Sequence, residues 1–332
     1  VDQPVSNVTC YDPSAGSGTL LMNLAHAIGE DRCTLYSQDI SQKSSSMLRL
    51  NLILNNLVHS IQNIIQGNTI KSPYHKAGDK LMTFDYIVSN PPFKLDFSDY
   101  VADLDSKQNH ERFFAGLPNV PNKDKDKMAI YLLFIQHVIH TLAPNGRAAI
   151  VVPTGFITAQ SGIEKGIREH LVKNKMLGGV VSMPSNIFAT TGTNVSILFI
   201  DSTNDGDVIL IDASNLGEKI KEGKNQKTLL SPDEENRIIK TFNAKEAVEN
   251  FSVVVSYEQL EARGYSLSAG QYFDVKIEYA NISSEVFAVN VDGFKARLAD
   301  FFKSSHELET DLLKQLTNLL HHEKWRFASL GG

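Results

Sequence analysis

The feature that most narrows what this chain can fold into is a rhythm that runs from Val8 to Asp212. Short apolar runs closed by Gly, Pro or Asp alternate with stretches whose apolar residues recur at helical spacing. Val8–Asp12 ends in a Gly-rich turn. Ser17–Ile28 then carries Leu20, Leu21, Leu24 and Ile28, with Gly29 placed as a helix stop. Thr34–Gln38 reads as a second strand, closed by Asp39. Ser41 is placed to cap a helix whose apolar face comprises Met47, Leu48, Leu50, Leu52, Ile53, Leu54 and Leu57. Ile61–Gln66 and Phe84–Ser89 are further strands, stopped by Gly67 and by Pro91-Pro92, since proline cannot donate to a ladder. A helix over Met128–Leu142 leads to a nearly continuous apolar strand, Ala148–Val152. A helix over Ile163–Lys173 follows, then strands at Gly179–Ser182 and Val195–Asp201 and a peripheral one at Val208–Asp212. This alternation predicts an α/β fold: an open, mostly parallel sheet with helices on both faces.

Two stretches break the rhythm. Lys94–Lys127 has no clear period and carries the mixed charges of Lys123–Lys127; a loop this long inside a compact domain is functional or disordered, and it is expected to be mobile. Beyond Ala213, Lys, Glu, Asn and Gln become frequent. Leu298, Phe301, Phe302, Leu308, Leu312, Leu316 and Leu320 there predict long amphipathic helices. The expected organisation is an α/β domain over 1–213 and a largely helical C-terminal region over 214–332. A hydrophobic share of 42% with 21% charged residues excludes a disordered chain. No run approaches the roughly 18 apolar residues of a membrane span, so no membrane partner is expected. No signal-peptide pattern opens the sequence. Two cysteines, Cys10 and Cys33, rule out a disulfide framework, suit a cytoplasmic location and fall on strands as core residues. A net charge of −6 argues against holding nucleic acid by bulk electrostatics; it leaves room for a local groove, or for a partner that supplies positive charge.

In an open parallel sheet, ligands bind outside the carboxyl ends of the strands. Two motifs fall there. The first is Asp12-Pro13-Ser14-Ala15-Gly16-Ser17-Gly18, a strand-to-helix turn whose glycines let backbone approach a ligand. Asp12 suits a cationic amine and is poorly suited to cradle a phosphate; no Lys follows Gly18, so a nucleotide P-loop is not supported. Taken alone, such a turn is as well explained by fold geometry. The second motif is Asn90-Pro91-Pro92-Phe93. Its prolines stiffen the turn and leave carbonyls free, Asn90 brings an amide acceptor and two donors, and Phe93 offers a flat face. Together they can hold a planar ring that bears an exocyclic amine; an Asn capping its own turn is the plainer reading of an isolated Asn-Pro pair. His137 and His140 share a helix face without a third ligand, so a packed or surface pair is expected and no metal site is assigned.

The combination resembles the amino-group (N6-adenine) DNA methyltransferases. More narrowly, it is similar to the modification (methylase) subunit of type I restriction-modification systems. Further segments carry the likeness: Phe84–Ser89, Arg112-Phe113, Gly146–Gly155, Phe188–Val195 and, more weakly, Leu267–Tyr272. The resemblance implies a Rossmann-like methyltransferase sheet that uses S-adenosylmethionine to methylate N6 of adenine in DNA. It implies that Asp12, Ser14, Gly16, Ser17 and Gly18 hold the methionine part of the cofactor. Asp39 would take the ribose hydroxyls with Ile40 beside it, and Asn68 stands where the family usually has an Asp facing the cofactor adenine. Asn90, Pro91, Pro92 and Phe93 would bind and stack the target base, extruded from the duplex. The partners implied are DNA, a specificity subunit, a restriction subunit and a second modification subunit. The family's helical N-terminal domain does not precede Val1, so the chain reads as the catalytic and C-terminal part of a longer protein. A methyltransferase acting on a protein glutamine or on RNA, a non-catalytic scaffold and a nucleotide-dependent oxidoreductase are the competing readings.

Overall fold

The computed structural model describes residues 5–188, 194–222, 225–273 and 283–328, with side chains for all of these but 222, 225 and 318–328. The chain divides into two compact units, Val1–Phe273 and Asp274–Gly332. In the first, nine strands form one sheet: β1 (Val8–Asp12), β2 (Cys33–Asp39), β3 (Ile64–Gln66), β4 (Phe84–Ser89), β5 (Leu142–Pro153), β6 (Leu177–Ser182), β7 (Val195–Asp201), β8 (Val208–Asp212) and β9 (Ser252–Val255). Their spatial order is β9-β8-β6-β7-β5-β4-β1-β2-β3. From β5 through β4, β1 and β2 to β3 all neighbours are parallel, as are β6 and β8; β7 is antiparallel to β5 and β6, and β9 to β8. The sheet is mostly parallel, as the alternation predicts.

Both faces are covered, and β1 shows why its sequence suits that place. Successive side chains of a strand point to opposite faces. Cys10 enters one core with Leu21 and Ala25 of α1 (Thr19–Ile28) and Leu48 and Leu52 of α2 (Gln42–Leu54). Tyr11 enters the other, with Ile135 and Val138 of α3 (Tyr131–His140) and Ile167 and Leu171 of α4 (Gly162–Lys173). Each fully buried Leu or Ile contributes about 1.5–3 kcal/mol, so these two layers hold the helices more than helix propensity does. Local signals agree with them. Ser41 caps α2 by accepting from the Ser44 amide at 3.2 Å, and Gly29 closes α1 with φ 109°. Further on, α5 (Pro232–Ala244) sets Ile238 and Phe242 against Val181, Ile209 and Ile211, and α6 (Tyr257–Ala262) follows β9.

The structure departs from the sequence expectations at several points. Of the apolar residues of α2 only Leu48 and Leu52 are buried, with Leu57 beyond it; Met47, Leu50, Ile53 and Leu54 are exposed. The edge strand β3 is three residues long and gives α2 room to bury one stripe. β8 is interior, not peripheral, because β9 adds to its free side. The sheet therefore runs past the expected boundary at residue 213, and the chain divides after Phe273. Residues 214–273 hold a small hairpin (Glu218–Glu222 with Asn225–Leu229) and β9 besides their helices. The segment 94–127, expected to be mobile, has a core of its own: Phe97, Leu104 and Phe113 pack with Ile70, Met128, Ile130 and Leu133. Its apolar residues follow no period because they form a cluster rather than a helix or strand face.

Among its described residues the second unit is one helix, α7 (Ser284–Ala328), rather than several. Phe287, Phe294, Leu298, Phe301, Leu308 and Leu312 recur along it at spacings of three, four and seven, and no described residue of its own unit covers them. The side chains of Leu320, His321 and His322 and most of the segment Phe188–Val195 lie outside the described residues. No helix among the described residues is long and apolar enough to cross a membrane.

Candidate active site

Four neighbouring parallel strands, β4, β1, β2 and β3, deliver their carboxyl ends to one edge of the sheet. Asp12 ends β1, Asp39 ends β2, Gly67 and Asn68 follow β3, and Asn90 follows β4. Each sits where its strand stops because a Gly, Pro or Asp there favours a turn over continued pairing.

The turn after β1 is shaped by two residues with positive φ, Gly16 at 53° and Gly18 at 86°. A Cβ on Gly18 would come within 2.2 Å of Leu48, so this glycine lets α1 and α2 pack closely. A Cβ on Gly16 would meet nothing within 4 Å, so the backbone there borders open space. Asp39 braces the turn: one carboxylate oxygen accepts from the Gly16 amide at 2.9 Å and the other from the Ser41 amide at 2.8 Å. Ile40 beside it is 63% exposed. The Asn68 Oδ1 accepts from the Ile70 and Lys71 amides, both at 3.0 Å, which leaves its NH2 as the polar group free for a ligand.

Asp12 is the most unusual group at this edge. It is 2% exposed, and no positive group among the described residues pairs with it. Burial pushes its carboxyl up to about 7; the Ser14 amide at 2.9 Å pulls it down, and the nearby Asp39 charge adds to the rise. A buried carboxyl lacking a counter-charge among the described residues has the chemistry to receive a cation.

The target-side motif adjoins it. Asn90 is exposed, Pro91 is buried, and Phe93 is half-buried with its ring edge-on to Tyr131 at 6.2 Å. The two motifs touch through Ser14 and Ser89, whose hydroxyls lie 2.8 Å apart. Ser89 is fully buried and immediately precedes Asn90. The structure therefore brings together at one edge the residues that the sequence reading singled out, while Ser17 points outward at the start of α1.

Sequence reasoning missed Ser89, Thr69 and Gln38. The Thr69 hydroxyl donates to the Pro13 carbonyl at 2.7 Å, and the Gln38 amide holds Ser72 and Tyr74, each at 2.9 Å. The available signal was polar residues in otherwise apolar strand ends. His137 does not face a metal: it is buried, and both ring nitrogens are engaged, by Arg112 and by Tyr11. Among the described residues no cluster of three or more His, Cys, Asp or Glu is arranged for a metal.

The buried and half-buried imidazoles imply a pH dependence. Burial holds His75, His137, His140 and His170 below their ordinary value, and for His137 and His140 the Arg112 charge adds to it. The unfolded chain takes up these protons below about pH 6.5 and the folded chain resists them, so stability falls as pH drops. Asp12 opposes with a single proton, since its folded pKa is raised. Urea midpoints are expected to change little from pH 8 to 7 and to fall from pH 6.5 to 5. A midpoint unchanged at pH 5 would mean that the folded imidazoles accept protons in place.

Fold and site together define a class, the Rossmann-like α/β methyltransferases. The narrower assignment follows from residues 1–280, which match the N-6 DNA methylase family. The chain belongs to that family. It is 28% identical over 323 residues to the type I restriction enzyme MpnII methylase subunit of Mycoplasma pneumoniae, covering 93% of this chain and 56% of that one. It is 28% identical to the MjaIX methylase subunit of Methanocaldococcus jannaschii, covering 85% and 51%. In structure it is similar to a type I restriction-modification methyltransferase subunit from Streptococcus thermophilus, with a TM-score of 0.67, 23% identity, and coverage of 82% and 56%. The chain thus spans about half the length of these relatives.

Proposed function

We propose that this chain carries the catalytic core of an adenine-N6 DNA methyltransferase that uses S-adenosylmethionine. It would act as the modification subunit of a type I complex with specificity and restriction subunits. One observation carries the reading. A buried, uncompensated carboxylate on a Gly turn and an Asn-Pro-Pro-Phe turn end adjacent parallel strands, and they are joined through the Ser14 and Ser89 hydroxyls. The cofactor supplies an electrophilic methyl on a sulfonium; the rest is orientation. Asp12 would take the cofactor's ammonium group, and the open backbone at Gly16 would lie against its amino-acid part. The exposed side chain of Ile40 would cover one face of its adenine, and the Asn68 NH2 would donate to a ring nitrogen.

On the target side, the Asn90 Oδ1 and the Pro91 carbonyl would accept the two hydrogens of the adenine amine. That keeps the nitrogen lone pair aimed at the methyl, and Phe93 would stack on the extruded base. The nitrogen–carbon bond would form as the carbon–sulfur bond breaks, and the amine's extra proton would leave to solvent. An overall charge of −6 fits a subunit whose DNA sequence reading comes from a partner, and the apolar stripe of α7 suits a helical partner.

The test is transfer of labelled methyl from S-adenosylmethionine to unmethylated DNA, with the full-length protein and its specificity subunit. Label in DNA as N6-methyladenine is the expected result. Label in protein or RNA alone, or in cytosine, would overturn the reading.

A further inference from the structure

Arg112 lies in the segment that continues from Asn90–Phe93, yet it is 2% exposed. Among the described residues no carboxylate pairs with it. A buried cation is costly unless its donors are met, and here they are met by neutral acceptors. One terminal nitrogen donates to the Ile70 carbonyl and the other to the Thr69 carbonyl, both at 2.8 Å. The Nε donates to His137 Nδ1 at 3.0 Å. Arginine has no acceptor, so Nδ1 must accept and the imidazole hydrogen sits on Nε2. That hydrogen faces the Tyr11 hydroxyl at 3.1 Å. Burial lowers the guanidinium only to about 10, so the charge persists at neutral pH.

The positions of these contacts matter more than their number. Thr69 and Ile70 directly follow Asn68, Tyr11 directly precedes Asp12, and Thr69 also reaches Pro13 through its hydroxyl. A single planar fork thus clamps the backbone beside one cofactor-side position and, through His137, the strand that ends in the other. Phe113, next in sequence, is buried against Ile70 and Phe97, and the Arg112 guanidinium lies 4.6 Å from its ring centre. The fork is therefore anchored in the core of the target-side segment. Two carbonyls of consecutive residues and an imidazole, one on each guanidinium nitrogen, suit a three-nitrogen fork and not an ammonium.

We propose that Arg112 is a positioning residue: it transmits the order of the segment after Asn90–Phe93 to the Asn68–Ile70 turn, and thereby sets the affinity for the cofactor. The proposal rests on the methyltransferase reading for the identity of the ligand. By linkage, a ligand of segment 94–127 that shifts its packing, such as DNA, changes cofactor affinity by the same factor by which cofactor changes that ligand's affinity.

The experiment compares Arg112→Lys, His137→Asn and His137→Leu in the full-length protein. Readouts are the KM for S-adenosylmethionine, kcat at saturating cofactor, and hydrogen exchange of peptides over 66–72. Arg112→Lys is expected to raise KM about tenfold with kcat within about twofold, and to speed exchange in 66–72 while α1 and β2 stay protected. His137→Asn keeps an acceptor for Nε and is expected to stay near wild type, whereas His137→Leu removes it and is expected to follow Arg112→Lys. The histidine pair carries the test if Arg112→Lys does not fold. A fall in kcat with unchanged KM and exchange raised throughout would mean a merely structural arginine and overturn the proposal. Equal behaviour of His137→Asn and His137→Leu would also overturn it. If the wild type binds no S-adenosylmethionine, the functional reading fails separately; the exchange pattern then decides whether the coupling exists.

Discussion

Replacing Asn90 by Ala is expected to lower methyl transfer to DNA by about 10²–10³-fold while cofactor affinity stays within about threefold of wild type. The reasoning is geometric. Asn90 follows β4 and is exposed at the sheet edge, so its removal leaves no buried group unpaired and the fold loses little. What it would supply is an acceptor that holds one amine hydrogen while the lone pair turns toward the methyl. That contact strengthens as positive charge builds on the nitrogen, so its loss falls on kcat. Asp12, Asp39 and the Gly16 backbone are untouched, so cofactor binding persists. Single-turnover transfer and titration calorimetry separate the two quantities. A variant that loses cofactor affinity and transfer together would place Asn90 in the cofactor pocket instead.

Asp12→Asn is expected to do the reverse to binding and to stabilise the free protein. The folded carboxyl is raised to about 7 from an ordinary value of 3.8, mainly by burial. Between those values the folded state holds a proton that the unfolded state has lost, so the penalty for ionising Asp12 grows with pH and levels off above 7. Removing the charge is expected to add on the order of 2–4 kcal/mol at pH 8, with the gain narrowing by pH 5. Cofactor affinity is expected to fall by about 100-fold, because an amide cannot neutralise the ammonium group. Wild-type affinity should rise up to about pH 7, as Asp12 must ionise to take its ligand, and the variant should be flat over that range. Urea unfolding and calorimetry from pH 5 to 8 test both halves. An Asp12→Asn protein less stable than wild type at pH 8 would show that Asp12 is compensated in the fold.

These residues show how far the sequence carried and where it stopped. Phe84–Ser89 and Val195–Asp201 are readable to the residue, because Pro91 and the flanking polar residues punctuate alternating apolar runs. β9 is not: four residues, Ser252–Val255, carry no period of their own, and they become a strand because β8 leaves an edge for them. The burial of α2 was over-read, since helical spacing reports which residues could face a core and not how wide that core is. Asp12 and Asn90 were legible as residue types at strand ends. Ser14 against Ser89 was not, since the two hydroxyls meet only when β1 and β4 lie side by side. Arg112 was visible as part of a motif, but its burial depends on Ile70 and His137, both distant in sequence, and no local pattern encodes that.

The strand order also has a consequence for how the chain is made. β1, β2 and β3 emerge from the ribosome in sequence with α1 and α2, and they share a core of Cys10, Leu21, Leu35, Leu48, Leu52 and Ile64. That lobe can gather early, because its contacts are local. The second half is different. β6 leaves the ribosome before β7 and β8, the two strands that flank it, so its Val180-Val181 run waits as an open edge until both arrive. Biosynthesis is therefore most exposed to mispairing while residues 183–212 are being added, and that interval is where a chaperone would do most for the yield of this protein.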